Sequence, residues 1–145
     1  MGAVTPAVVA LHLSRASRTP VETVSRANAL EERGIEGDRH ARPGSRRSVL
    51  LVEQEVLDQF GLAPGAISEQ VTVRGLDLNG LVFGARLKVG EAVLEVAGPC
   101  HPCSRMDEVK PGLKDALQGR RGRFARVVRG GALAVGDSIV VEPPA

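Results

Sequence analysis

The stretch Leu87-Lys-Val-Gly-Glu-Ala-Val-Leu-Glu-Val96 contains two runs rich in β-branched and aliphatic residues, separated by Gly90-Glu91. A glycine at the first position of a two-residue turn is typical of a β-hairpin. The C-terminal stretch Leu133–Val141 has the same arrangement around Gly136-Asp137, and it predicts a second hairpin. Both stretches indicate a fold built from short antiparallel strands.

Short apolar runs outside these hairpins predict further strands, and only two segments have helical spacing. Many short strands, frequent glycine turns and few helices favour an all-β barrel or sandwich. We predict strands over Ala7–Leu13, Ser48–Val52, Val71–Val73 and Phe124–Val128, helices over Glu53–Phe60 and Pro111–Gln118, a loop over Glu31–Gly44, and either a strand or a helix over Val21–Leu30.

The composition predicts one globular domain over residues 1–145. Hydrophobic residues make up 43% of the chain and charged residues 25%, which is average for globular proteins. Because the chain has three Phe and neither Trp nor Tyr, it is poorly suited to binding single-stranded nucleic acid by base stacking. Neither a membrane-spanning run nor a signal-peptide pattern stands out. We therefore expect a cytoplasmic protein that binds neither nucleic acid nor membranes.

Arginine dominates the basic residues, with 16 Arg against three Lys and a net charge of only +2. Eight of the arginines lie between Arg15 and Arg47, and five lie between Arg120 and Arg129. The planar guanidinium matches phosphate and carboxylate groups, so these clusters fit a pocket for a small anion. Solvated side chains that reflect GC-rich codon usage explain the same bias, and the sequence leaves both interpretations open.

The strongest chemical signal is Gly98-Pro-Cys-His-Pro-Cys-Ser-Arg-Met106, a loop that follows a predicted strand. A structural zinc site needs four ligands, and besides Cys100 and Cys103 the chain offers only three histidines. A thioredoxin-like redox pair needs a helix that begins at the first cysteine, and Pro111-Gly112 delays any helix. One reactive cysteine, acting as nucleophile, sulfur carrier or soft-metal ligand, is the third interpretation. Two small buried hydrophobic residues are the fourth.

Two further loops carry weaker signals. Gly34-Ile-Glu-Gly-Asp-Arg-His40 offers a carboxylate, a guanidinium and an imidazole beside two glycines. Gly119-Arg-Arg-Gly-Arg-Phe-Ala-Arg-Val127 is a basic, glycine-containing loop whose amides and arginines suit a phosphate. It lacks the Lys-Ser/Thr pair of a nucleotide-binding P-loop. A solvated loop is the alternative interpretation of each.

Taken together and in order, these segments resemble the MOSC domain family, named for the C-terminal domain of molybdenum cofactor sulfurases. The resemblance runs from about Val8 to Val141. It is carried by Gly34-Ile-x-Gly-Asp-Arg-His40, Arg47-Ser-Val-Leu-Leu51, Leu62-x-Pro-Gly65 leading to Glu69, Leu78-x-x-Leu81-x-x-Gly84-x-x-Leu87-x-x-Gly90, Pro102-Cys-Ser-Arg-Met106 and the closing Gly-Gly-x-Leu-x-x-Gly-Asp137.

The resemblance implies a single MOSC domain with its core over residues 8–141. It implies a closed, strongly bent β-barrel, similar to the barrel domain of pyruvate kinase, with a few short helices. In the family a cysteine of this loop binds the molybdenum of a molybdopterin cofactor or carries a persulfide. Alignment of the motifs gives Cys103 this role, with Cys100 as an optional partner. The implied site further comprises Asp38 and His40 as catalytic or pocket-lining residues, and Arg39, Arg47, Glu69, Arg123 and Arg126 as residues that bind the anionic cofactor.

The chain departs from the family pattern in two ways. Gln70 stands where the family often has Asn. The amidoxime-reducing relatives carry an extra N-terminal β domain, and some bacterial relatives carry a C-terminal helical extension, neither of which is expected here. A lone domain would bind the cofactor more weakly, bind it at a homodimer interface, or not bind it. Pyridoxal phosphate belongs to the separate sulfurase domain and is not expected in this chain.

Three functions follow from the resemblance and the residues. The first is the reduction of N-hydroxylated small molecules at molybdenum held by Cys103, with electrons from an external redox protein. The second is a sulfur carrier, in which Cys103 accepts a persulfide from a cysteine desulfurase and delivers the sulfur to a metal–sulfur cofactor. The third is a non-catalytic module that binds an anionic small molecule through the arginine-rich loops.

Overall fold

Eleven strands and three short helices make up residues 5–145, the part of the chain that the computed structural model describes. The predicted domain of residues 1–145 also includes residues 1–4, which lie outside the described residues. No helix within residues 5–145 is long and apolar enough to cross a membrane. The elements are β1 (Ala7–Leu13), β2 (Glu22–Val24), β3 (Arg26–Leu30), β4 (Gly34–Ile35), β5 (Val49–Glu53), α1 (Gln54–Gln59), β6 (Val71–Arg74), a 3-10 turn (Leu78–Gly80), β7 (Arg86–Val89), β8 (Ala92–Pro99), α2 (Arg105–Val109), α3 (Leu113–Ala116), β9 (Arg123–Arg129), β10 (Gly131–Ala134) and β11 (Ile139–Glu142).

The strands form two open sheets. The larger sheet has the order β11-β7-β8-β9-β5-β6-β1-β2, and the smaller has the order β10-β3-β4. Neighbouring strands are antiparallel except for β5 and β6, which run parallel with Leu51 opposite Val71. The eight-stranded sheet is therefore mixed, and the three-stranded sheet is antiparallel.

The prediction of a closed β-barrel was wrong, although the mainly-β class with a few short helices is confirmed. Closure needs every strand to be paired on both sides, whereas β11 and β2 are the edges of the larger sheet. In the described part of the chain, β1 meets the segment before β11 through one isolated bridge, between Ala7 and Ser138, and through hydrogen bonds of Val8 with Gly136 and Asp137, which do not extend into a ladder between the two strands. The free side of β1 is taken up instead by β2, with Leu11 opposite Val24.

One of the two predicted hairpins is confirmed and the other was wrong. Strands β7 and β8 pair directly, with Val89 opposite Ala92 across the Gly90-Glu91 turn. The C-terminal strands do not pair with each other, because β10 pairs with β3 and β11 pairs with β7. The two sequences share a local pattern, but the strand partners are chosen by packing between distant segments.

The remaining local predictions are largely confirmed. Strands β1, β5, β6 and β9 and helices α1 and α3 lie where the sequence predicts them, and the ambiguous segment Val21–Leu30 forms strands β2 and β3. Two elements were not predicted: the two-residue strand β4 lies within the expected loop Glu31–Gly44, and helix α2 directly follows the cysteine loop.

Strand β5 is buried on both faces, which explains its continuous apolar sequence. Val49 and Leu51 point into a large aliphatic core between the strands, whereas Leu50 and Val52 point into a second, smaller cluster. This second cluster packs the helices against the sheet, and it is formed by Leu50, Val52, Val56, Leu57, Ile67, Met106, Leu113 and Leu117. Cys100 packs against the edge of this second cluster, which anchors the cysteine loop to the core.

We expect Gly122→Ala to lower the free energy of unfolding by about 2–3 kcal/mol, through backbone strain and a steric overlap. Gly122 has a φ of +129°, and an added Cβ would lie 2.5 Å from the carbonyl oxygen of Leu51. Urea denaturation measures the loss. Gly119→Ala is the matched control, since its Cβ would meet nothing within 4 Å at a φ of +79°. Equal losses in both variants would contradict the steric explanation.

Candidate functional site

A cavity of about 360 Å³ lies where the cysteine loop, the Gly34–His40 loop and the segment after β1 meet. We call it the thiol cavity, because Cys100 and Cys103 both line it. The other side chains of its wall are mostly cationic, polar or small. They include Ser14, Arg18, Thr19, Arg39, His40, Arg47, Ser68, Gln70, Arg105, Met106, Glu108, Arg121 and Phe124.

The two cysteines are free thiols in different surroundings. Cys100 is partly buried, and its amide donates to the carbonyl oxygen of Gly122 at 2.9 Å. Burial raises the pKa of the Cys100 thiol, and the charges of Arg121 and Arg47 offset this only in part. Cys103 is exposed at the start of α2, where its carbonyl accepts the amide of Met106 at 2.9 Å. Cys103 is therefore the more accessible thiol of the cavity.

The cavity wall is strongly basic. Five arginines line it, against one carboxylate, that of Glu108. Glu108 forms an exposed ion pair with Arg18 at 3.4 Å, which is worth little energetically. The Arg47 guanidinium lies 4.6 Å from the centre of the Phe124 ring, and Arg39 donates to the Ser14 hydroxyl at 3.1 Å. The excess of positive charge favours an anionic ligand.

Arg121 is the most unusual of these arginines, because it is only 7% exposed. Its Nη2 donates to the carbonyl oxygen of Ile67 at 2.7 Å, while its Nη1 is buried and has no partner within the described residues. An unpaired donor on a buried cation is destabilising by about 1–3 kcal/mol or more. Arg121 lines the thiol cavity, and an anion that reaches Nη1 from the cavity would supply the missing partner.

Asp38, His40 and Gln70 form a hydrogen-bonded network beside the cavity. The Asp38 carboxylate is fully buried and accepts the amides of Ser14 at 2.7 Å and His40 at 2.8 Å. Its Oδ1 also lies 2.9 Å from His40 Nδ1. Gln70 Oε1 accepts the amide of Leu50 at 2.7 Å, which turns its amino group toward Asp38 Oδ2 at 3.2 Å.

This network fixes the tautomer of His40. An ionised carboxylate only accepts hydrogen bonds, so Nδ1 of His40 carries the proton that it donates to Asp38. The Gln70 amino group, 3.2 Å from the same Nδ1, then bonds to Asp38 rather than to the ring. Nε2 remains the ring nitrogen available to a ligand, and the His40 side chain is 37% exposed. The arrangement can accept or donate a proton at the cavity wall.

We expect the free energy of unfolding to fall in acid through Asp38. Burial raises the pKa of Asp38, but hydrogen bonds from His40, Ser14 and Gln70 outweigh this and hold the pKa below its ordinary value of 3.8. Since the unfolded chain takes up the proton first, the stabilisation is present above pH 3.8 and is lost as the pH falls through the folded-state pKa.

Asp38→Asn tests this expectation. At neutral pH the variant is expected to be about 2 kcal/mol less stable than the wild type, because it loses charge-assisted hydrogen bonds. Urea denaturation at pH 7 and pH 3 should show this difference shrinking in acid. Asp115→Asn, at an exposed residue of α3, is the control and should show no such change. A difference for Asp38→Asn that does not vary with pH would contradict the assignment.

The structure brings four of the sequence-predicted site residues to the cavity wall, namely Cys103, His40, Arg39 and Arg47, with Asp38 directly behind His40. Three others lie elsewhere. Arg126 forms ion pairs with Glu95 at 2.9 Å and Glu32 at 2.8 Å. Arg123 is buried and donates only to backbone carbonyls. Glu69 is fully buried, and its Oε2 accepts the Thr72 hydroxyl at 2.6 Å and the Gly65 amide at 2.9 Å.

Several wall residues were not predicted. Arg121 lies in the basic Gly119–Val127 loop, which the sequence singled out without showing which arginine faces the cavity. Arg105 lies two residues after the Cys-x-x-Cys motif, and Gln70 was noted only as a departure from the family. Arg18 and Phe124 lie within the arginine cluster and the basic loop that the sequence singled out, but no pattern there indicates that these two residues face the cavity.

A structural zinc site gains no support from the geometry. Within residues 5–145, no group of three or more His, Cys, Asp or Glu side chains is placed to hold a metal ion. A metal in the thiol cavity would therefore need most of its ligands from a bound cofactor rather than from the protein. The cysteine loop also differs from a thioredoxin-like motif, because the second cysteine, not the first, precedes α2.

A mainly-β domain with a basic cavity and an accessible thiol is the class of protein that this geometry defines. The chain belongs to the MOSC domain family: the family model, described as "MOSC domain", matches residues 37–140. The matched region contains both cysteines and four of the five cavity arginines. No curated protein sequence matches the chain.

Solved structures share the fold. The YuaD protein from Bacillus subtilis is 24% identical, with a TM-score of 0.81 and 98% of each chain covered. YiiM from Geobacillus stearothermophilus is 19% identical, with a TM-score of 0.74, and the likeness covers 94% of this chain and 74% of that one. YiiM from Escherichia coli is 18% identical, with a TM-score of 0.69 and coverages of 93% and 69%.

Proposed function

We propose that the thiol cavity binds a molybdopterin-type molybdenum cofactor, with Cys103 as the protein's ligand to the metal. The observation that carries the proposal is that Arg121, whose Nη1 is buried and without a partner among the described residues, lines a cavity that also presents an accessible thiol. A guanidinium in this position fits the phosphate of the cofactor, and a thiolate fits its soft, high-valent metal. The family membership supplies the cofactor class.

The residues present fit this group in three respects. The volume of about 360 Å³ lies in the range of small-molecule sites. Cys103 supplies one thiolate, and the absence of a protein-built metal cluster within residues 5–145 agrees with a cofactor that brings its own ligands. The surrounding arginines balance the negative charge of a phosphate.

When bound, the cofactor supplies two-electron chemistry at molybdenum, for which we propose the reduction of N-hydroxylated compounds with electrons from a separate redox protein. The chain's own residues bind and orient. Arg121 and Arg47 hold the anionic part of the ligand, and Asp38 keeps the His40 ring in one orientation. His40 holds or moves a proton at Nε2, the nitrogen left free by the contact with Asp38.

A second candidate function is sulfur transfer, which the exposure of Cys103 favours. In this reaction the Cys103 thiolate attacks the outer sulfur of a persulfide on a cysteine desulfurase. A new S–S bond forms at Cys103, the donor's S–S bond breaks, and the donor cysteine leaves as a thiolate. No net oxidant is needed. The test is a mass gain of one sulfur atom on the Cys103 peptide after incubation with a desulfurase and cysteine; sulfur confined to Cys100 would contradict it.

Metal and pterin analysis tests the leading proposal. The protein is purified from a host that makes the molybdenum cofactor, and molybdenum and released pterin are quantified. We expect wild type and Cys100→Ser to carry both, and Cys103→Ser to fall to background. Cys100→Ser is the matched control because it removes the other thiol of the same cavity. Wild-type protein without molybdenum, or Cys103→Ser with a wild-type content, would contradict the proposal.

A further inference from the structure

A second cavity, a more open surface groove with a volume of about 400 Å³, lies beside the thiol cavity. Arg47 and Phe124 line both cavities, so the stacked pair of guanidinium and ring stands between them. The cysteine loop also divides the two. Cys100 and Cys103 face the thiol cavity, whereas His101, which lies between them in sequence, lines the second cavity.

The lining of the second cavity combines apolar surface with positive charge. The rings of Phe83 and Phe124, together with Ala97 and Pro99, form the apolar part. Arg46 and Arg47 supply the cations, and no carboxylate lines the cavity among the described residues. The site therefore complements a molecule with an apolar body and a negative group.

Phe83 gives the second cavity an exposed apolar edge. It is 62% exposed although it is one of only three phenylalanines in the chain, and its neighbour Val82 is 60% exposed. Adjacent exposed large apolar side chains beside cations mark a binding surface more often than scattered single ones do. A flat ligand can cover the Phe83 ring while its charge meets a guanidinium.

Buried hydrogen bonds hold the walls of the second cavity in place. Arg123 donates to the carbonyl oxygen of Ala97 through Nε at 3.1 Å and Nη2 at 2.8 Å. Its Nη1 donates at 2.9 Å to the carbonyls of Leu78 and Leu81, on the segment that leads to Phe83. One buried side chain therefore ties β8 to the segment that leads to Phe83.

We propose that the second cavity binds a small aromatic carboxylate, with its ring against Phe83 and Pro99 and its carboxylate on Arg46. Arg47 lines both cavities and is assigned to the ligand of the thiol cavity, whereas Arg46 lines only the second cavity and is therefore the cation that we assign to this carboxylate. The site does not depend on a cofactor in the thiol cavity. Only the Arg47–Phe124 pair separates a ligand in the second cavity from the thiol cavity. This position suits a substrate or an effector of the chemistry proposed for the thiol cavity.

Fluorescence titration with 2-naphthoate tests the proposal on the full chain. The protein has neither Trp nor Tyr, so the naphthyl signal has little intrinsic background. We expect Arg46→Gln to weaken naphthoate binding about three- to fivefold. The affinity for 2-naphthalenemethanol, which has the same ring without the charge, should not change in this variant. Phe83→Ser is expected to weaken binding of both probes about tenfold.

Two control variants lie away from the second cavity. Val140→Ser removes an exposed apolar side chain of β11, and Arg129→Gln removes an exposed guanidinium at the end of β9. Both should bind naphthoate as the wild type does. The mutated side chains Phe83 and Val140 are both more than half exposed, so neither substitution is expected to unfold the protein.

Failure of this proposal and failure of the proposed function give different experimental results. Cys103→Ser should bind naphthoate like the wild type, so a failed metal analysis leaves this inference standing. No naphthoate binding by the wild type, or equal binding by all variants, would overturn it.

Discussion

Arg123→Met is expected to lower the free energy of unfolding by about 4 kcal/mol, because the substitution leaves buried carbonyl oxygens without donors. Arg123 is 7% exposed, and burial lowers the pKa of its guanidinium without a carboxylate nearby to compensate. Its hydrogen bonds go to the carbonyls of Ala97, Leu78 and Leu81. Methionine fills much of the vacated volume, so the loss reports the hydrogen bonds more than a cavity. Urea denaturation measures it.

Arg126→Met is the matched control on the same strand. Arg126 is 24% exposed at its side chain and pairs with the partly exposed carboxylates of Glu95 and Glu32. Such pairs are worth up to about 1 kcal/mol each, so we expect a loss well below that of Arg123→Met. Similar losses in the two variants would contradict the structural role assigned to Arg123.

Arg121→Met is expected to weaken anion binding in the thiol cavity strongly while leaving the fold intact. The substitution removes the destabilising unpartnered Nη1 but also the hydrogen bond from Nη2 to the Ile67 carbonyl, so we expect a loss of stability of about 1 kcal/mol, well below that of Arg123→Met. Binding of inorganic phosphate, measured by isothermal titration at constant ionic strength, should weaken by about tenfold to a hundredfold, as for loss of a buried charge contact.

Arg105→Met is the control for this experiment, because Arg105 lines the same cavity but is exposed. We expect it to weaken phosphate binding only about twofold to fivefold, through the general field of the cavity. Phosphate affinity that is unchanged in Arg121→Met, or reduced equally in both variants, would contradict the placement of the anion at Arg121.

Local patterns predicted most of the fold. The alternation in β6, the continuous apolar run of β5 and the glycine turn between β7 and β8 each depend on neighbours along the chain. The pairing of β10 with β3 and of β11 with β7 depends instead on segments that are distant in sequence. The C-terminal stretch carries the same turn pattern as the true hairpin, and only the tertiary contacts of distant strands separate the two cases. For the same reason the sequence could not show that the sheets stay open.

The site could be predicted in part because its chemistry is concentrated in two loops. Cys103, Arg39 and His40 stand in motifs, and all three reach the cavity. The arginines around β9 were harder to assign. Arg121 precedes the strand and faces the cavity, whereas Arg123 is its first residue and points into the protein. That difference depends on where the strand begins, which an arginine-rich sequence does not reveal.

The assignment of Cys103 as the metal ligand is tested most directly by alkylation of its thiol in two preparations of the same chain. One preparation comes from a host that makes the molybdenum cofactor, and the other from a host that cannot. Iodoacetamide labelling followed by peptide mass analysis should modify Cys103 rapidly in the cofactor-free protein and much more slowly in the loaded protein, with Cys100 labelled slowly in both. Equal labelling of Cys103 in the two preparations, or protection of Cys100 alone, would contradict the assignment.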